Sequence, residues 1–145
     1  MVKLDYLHLS PNDPPPPVEA RPHRVVLIAQ QAARQDWRNE VASWLVASGC
    51  LYFIAWGVDC EAWHDAVDWT VLEALDFGDI PDDRFVMTTW HDKEPLSEAL
   101  WFAGNCASHP EIDLADTVIV HVAGEERRDA TLKLYRESQV MTDEA

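Results

Sequence analysis

The sequence predicts a three-layer α/β sandwich, with one mainly parallel sheet of four strands and helices on both faces. Three observations predict it. Short runs that are continuously apolar and rich in β-branched residues recur along the chain, as in strands covered on both sides. Each run is followed by a stretch whose apolar residues fall at helical spacing. This strand-then-helix unit repeats four times, and the helices are long enough to serve as the crossovers that parallel strands require. Right-handed crossovers then place helices on both faces.

Residues 1–9 alternate weakly, with Val2, Leu4 and Tyr6 against Lys3 and Asp5. They are expected to form either a short edge strand or an arm packed on the body. Residues 10–22 contain Pro14-Pro15-Pro16-Pro17, which offer no amide hydrogens and favour an extended polyproline conformation. A stiff linker is the plain reading, and a ligand for a proline-reading domain is the alternative. The arm and linker are therefore assigned to 1–23, a single α/β domain to 24–138 and a tail to 139–145.

The first strand is 24–29 (RVVLIA), and its helix covers 33–48 with Trp37, Val41, Trp44, Leu45 and Ser48 on the inward stripe. Gly49 ends that helix. The second strand is 50–56 (CLYFIAW). Asp59 is placed to cap a helix over 60–77, which Gly78 stops. The third strand is 85–89 (FVMTT), and Pro95 suits the first turn of a helix over 96–108. The fourth strand is 117–122 (TVIVHV), followed by a polar helix over about 125–137. Counted from residue 24, the expected strand order is 2-1-3-4, which resembles the doubly wound, Rossmann- or flavodoxin-like class. A fold of that kind does not fix a function.

Composition narrows the function classes. The chain has 145 residues, enough for one domain with a real core, and 48% of them are hydrophobic. Seven Trp are many for one small core, so some are expected at the surface or an interface. Eleven Lys and Arg against 26 Asp and Glu give a net charge of −15, which repels phosphate backbones and attracts basic partners. No nucleic-acid or membrane partner is expected. The three cysteines, Cys50, Cys60 and Cys106, are odd in number and lack a C-x-x-C spacing. With no signal peptide in view, they fit free thiols in a reducing cytoplasm. Cys50 and Cys106 read as buried and inert.

In open parallel sheets, ligands bind beyond the carboxyl ends of the strands, where the strand order reverses. With order 2-1-3-4, that crevice lies between Gln30-Gln31 and Thr89-Trp90-His91-Asp92. A nucleotide site is disfavoured: none of the five glycines lies in the first strand–helix turn, and no P-loop exists. No cofactor is expected. His91, oriented by Asp92 with Glu94 nearby, is the candidate general base, and His121 is a further candidate. The plainer reading makes Asp92 or Glu94 a cap for the helix beginning at Pro95, and His121 a satisfied core histidine. Cys60 and His64, four apart on one helix face, form a candidate metal pair that His91, with Asp92 or His121, would complete.

The second helix is the more informative surface. Residues 59–83 hold nine acids and no Lys or Arg. On a helical wheel, Trp63, Val67, Thr70, Val71 and Ala74 face the sheet. Glu61, Asp65, Asp68, Leu72 and Asp76 face away, with Trp69 beside them. An apolar anchor with a charged rim is a common design for a partner surface. Trp101 and Phe102, flanking the inward stripe of the third helix, form a second patch and a candidate homodimer contact. The expected function is a small acidic cytoplasmic module that binds a basic protein, as an immunity protein or inhibitor does. The alternative is an enzyme or small-ligand binder using the crevice at His91 and Asp92.

Overall fold

In the computed structural model, which describes residues 3–140, five parallel strands carry four helices. The strands are β1 (Lys3–Leu9), β2 (His23–Ala29), β3 (Cys50–Gly57), β4 (Met87–His91) and β5 (Asp116–Val122). The helices are α1 (Gln35–Ala47), α2 (Cys60–Ala74), α3 (Leu96–Asn105) and α4 (Arg128–Ser138). The sheet order is β1-β5-β2-β3-β4, parallel throughout. Among the described residues no helix is long and apolar enough to cross a membrane.

The sheet corrects the expected order. Counted from residue 24, it runs 4-1-2-3, with the N-terminal strand added outside the fourth. From β2 the chain steps outward twice in one direction, through α1 to β3 and through α2 to β4. Two right-handed steps in the same direction put both helices on the same face. Trp37, Val41 and Leu45 of α1 and Trp63, Val67 and Val71 of α2 accordingly share one buried cluster with Val25, Leu27 and Phe53. The chain then reverses, and α3 carries it back across the other face to β5. On that face Leu100 and Ala103 of α3 and Leu132 and Tyr135 of α4 pack on Tyr6, Val26, Ile28, Ile54 and Ile119.

The central strands are the continuous apolar runs. Val25 to Ala29 are each at most 1% exposed, because helices cover both faces of β2. Two glycines are obligatory. Gly49 sits at φ +95° and Gly57 at φ +104°, and a Cβ would come within 2.2 Å of Arg21 O and 2.1 Å of Ala29 O respectively. The end of α2 differs from expectation. The helix stops at Ala74, and the left-handed residues are Asp76 (φ 54°) and Phe77 (φ 59°), not Gly78. Asp59 is itself left-handed (φ 57°) and makes no side-chain cap; its carboxylate lies 3.9 Å from Arg38. Within α2, Ala74 is exposed, while Cys60 and Ala66 are buried.

Of the two expectations for residues 1–9, the edge strand holds, and the proline segment that follows packs on the body. β1 pairs along its whole length with β5. The connection from β1 to β2 is a crossover without a helix. Trp37 Nε1 donates to Asp13 O (2.6 Å), and Trp44 Nε1 donates to Pro16 O (2.6 Å). The two tryptophans are about 10.5 Å apart along a helix axis, and three residues of polyproline advance about 9.3 Å. The two repeats therefore match. Past the prolines, Val18 and Glu19 face Leu7, Val118 and Val120 across a gap of about 190 Å³. Proline has no N–H to give, so this strap is held through its carbonyls. Of the predicted tail, residues 141–145 lie outside the described residues.

Candidate functional site

The outward side of α2 is the first candidate. Glu61, Asp65, Trp69 and Asp76 are exposed, whereas Asp68 and Leu72 are half-buried. Asp68 serves the fold: Thr88 Oγ1 donates to its carboxylate at 2.7 Å, and His64 Nε2 lies 3.4 Å from it. His64 also meets Asp65 at 3.0 Å and packs on the Trp90 ring, centroid to centroid 4.5 Å. This ties α2 to the β4 edge. Trp69 is 57% exposed and Phe77 58% exposed, and their rings meet edge to face at 5.3 Å. Phe77 was not singled out from the sequence, because Gly78 beside it reads as the helix stop. A groove of about 510 Å³ runs between α1 and α2, lined by Gln35, Arg38 and Asn39 on one side and Asp65, Ala66 and Trp69 on the other.

The strand-end residues are arranged differently from expectation. The order reverses between β2 and β5, so the switch point joins Gln30-Gln31 to Ala123-Gly124, not to His91. His8, His121, Ile28, Trp56 and His91 occupy one register row across all five strands. His91 is oriented by Glu94, whose carboxylate contacts Nδ1, and not by Asp92, which is exposed. Its Nε2 lies 3.0 Å from Thr89 Oγ1, and its ring packs 5.0 Å from Phe102. With both nitrogens engaged and the side chain 9% exposed, His91 locks the turn into α3 and offers no free lone pair. Neither Asp92 nor Glu94 caps α3, whose N-cap is Pro95. Glu94 O instead accepts Trp56 Nε1 at 2.8 Å.

His121 is 2% exposed at the switch point. Arg127 N–H donates to Tyr6 Oη at 2.9 Å, so the Tyr6 hydroxyl hydrogen is directed to His121 Nδ1 at 2.6 Å. That leaves Nε2–H to donate to Gln30 Oε1 at 2.7 Å. Burial first, then the charges of His8 and Arg127, hold the His121 pKa below the usual histidine value. Every polar atom of the imidazole is satisfied, so the chain fastens β1 and the α4 entry to the sheet.

The remaining candidates are dispersed. Cys60 and His64 lie on the α1/α2 side, while the His91 ring lies on the α3 side. Among the described residues no group of three or more His, Cys, Asp or Glu side chains is placed to hold a metal ion. Cys50 is buried, its thiol pKa pushed up to about 12 by burial, but Cys106 is exposed. It falls at the C-cap of α3, one step beyond the inward stripe that ends at Ala103. Phe102 packs against Tyr52 and His91 and, like Trp101, is half-buried.

No curated protein and no solved structure matches the chain. Residues 4–138, from β1 to the last turn of α4, match the family described as a domain of unknown function, DUF7684, and the chain belongs to that family.

Proposed function

We propose that the protein is a binding module for a basic protein partner, acting as an inhibitor or immunity protein acts, in a cytoplasmic setting that keeps its three free thiols reduced. The docking element is the outward side of α2. The observation that carries this reading is the Trp69–Phe77 pair. Two large aromatic rings stand together in water, more than half exposed. Phe77 also holds a left-handed backbone, which costs a bulky residue about 1–2 kcal/mol. A contact that covers both rings offsets that cost. Glu61, Asp65 and Asp76 supply the acidic rim, and a net charge of −15 steers a basic partner toward it. The ring faces also suit an arginine or lysine of the partner.

The test is capture from an extract of the producing cells, comparing wild type with Trp69→Ala, Phe77→Gly and a Glu61→Lys/Asp65→Lys pair. Asp68 is left intact because the fold uses it. A partner retained by wild type, released by high salt and lost from all three variants is the expected result. Phe77→Gly should lose the partner with unchanged or higher thermal stability, since glycine suits that backbone. Equal capture by wild type and all three variants overturns the proposal.

A further inference from the structure

At the opposite end of the molecule from the strand-end crevice, α1 and α2 finish beside the starts of β2 and β3 and line an open pocket of about 360 Å³. Its walls are apolar, with Val46, Val71, Leu75 and Val86 foremost. The α2–β4 connection contributes Asp83, Arg84 and Val86 to its lining. An apolar cavity of about 150 Å³ accommodates benzene; in proportion, this one holds about a dozen non-hydrogen atoms. It also lies within the range of natural small-molecule sites.

The mouth is charged. Arg21 and Arg84 line it, in a chain with only 11 Lys and Arg. Arg21 is committed to Asp116 at 2.8 Å and Asp5 at 3.4 Å. Arg84 is exposed and, among the described residues, has no carboxylate within ion-pair distance. Asp83 is the one acid in the lining. The last carbonyls of the two helices do not set the local field unopposed, because backbone N–H groups take them: Ser48 and Gly49 on α1, and Asp76, Phe77 and Gly78 on α2. Among the described residues neither Asp83 nor Arg84 has an ion-pair partner, and the Arg84 guanidinium is the cation at the mouth that is not already committed to a carboxylate.

The geometry points to a binding site for a small amphiphile, an aliphatic chain of about ten carbons ending in a carboxylate, with the chain against Val46, Val71, Leu75 and Val86 and the carboxylate on Arg84. This site is separate from the α2 docking face.

Decanoate, decanol and decylamine are titrated into the protein while the valine and leucine methyl resonances are followed. Decanoate is expected to shift the methyls of Val46, Val71 and Val86 saturably, with a dissociation constant on the order of 0.1–1 mM. It should bind about tenfold more tightly than decanol, the ratio expected of one charge-assisted contact, and decylamine should bind weakest. Arg84→Ala should lower decanoate affinity about tenfold and leave decanol unchanged. Ala74→Trp, an exposed position on the lining, should block both while the fold stays intact. No saturable shift with decanoate overturns the site. Equal affinity for decanoate and decanol in both wild type and Arg84→Ala overturns the anionic head group.

Discussion

Tyr6→Phe tests the link that holds the N-terminal strand to the switch point. The substitution keeps the ring, which is 7% exposed and meets His121 edge to face at 5.6 Å. Only the hydroxyl goes. Arg127 N–H loses its acceptor, but Arg127 is exposed and water replaces the bond, so that loss is about 1 kcal/mol. His121 Nδ1 is different. The residue is 2% exposed, so the nitrogen stays dry and unsatisfied, a penalty of about 1–3 kcal/mol. The sum is about 2–4 kcal/mol, a large share of the roughly 5–15 kcal/mol that holds a typical domain. Urea denaturation followed by tryptophan fluorescence measures it. Combining Tyr6→Phe with His121→Leu removes both ends of the buried bond, so the double variant should be less destabilised than the sum of the singles by at least ~1 kcal/mol. A single-variant loss below ~0.5 kcal/mol, or strict additivity, would show that the hydroxyl does not bond His121 in the folded protein.

Three further outcomes are expected. Burial holds His121 and His23 below their unfolded pKa, so the unfolded chain takes up protons first and stability falls as pH drops below about 6.5. The slope is at most ~1.4 kcal/mol per pH unit for each histidine, and an unchanged slope in His121→Gln would refute its share. His91→Ala should cost about 1–2 kcal/mol in urea melts, because it strips packing from Phe102 and two polar contacts from the β4–α3 turn; a stability-neutral result would instead fit a histidine kept free for chemistry. Trp37→Phe with Trp44→Phe removes both donors to the strap, so limited proteolysis within residues 10–20 should accelerate without unfolding the sheet. Resistance equal to wild type would mean that packing alone holds the strap.

The parts of the fold legible in the sequence were those fixed locally. Runs such as Val25–Ala29 and Phe53–Ala55 announce strands because both of their faces are covered, and α1 announces itself through Trp37, Val41 and Leu45. Edge strands are covered less and speak less clearly. β4 begins and ends two residues later than the apolar run 85–89 implies, and the weak alternation of residues 1–9 does not distinguish a strand from an arm. Strand order was not legible, because it depends on where the chain reverses, and no residue encodes that by itself. The order also decides the site: order 2-1-3-4 sets Gln30 across a crevice from His91, whereas the fold brings it to His121, and Tyr6 reaches His121 across 115 positions. The exposure of Glu61, Asp65 and Trp69 is legible because helical periodicity alone sets it, whereas Asp76 is exposed in the left-handed turn beyond the end of α2. The exposure of Phe77 is not legible, since its outward direction comes from a backbone conformation that sequence rules reserve for glycine.

The proline crossover has a consequence for how β1 joins the sheet. A chain already confined to one φ loses little freedom when it is laid down, so the span from Ser10 to Pro22 adds less disorder penalty than an ordinary loop of its length. Swapping Pro14–Pro17 for alanine would keep the carbonyl that accepts from Trp44. Yet it would loosen the first strand, through a more wandering denatured chain.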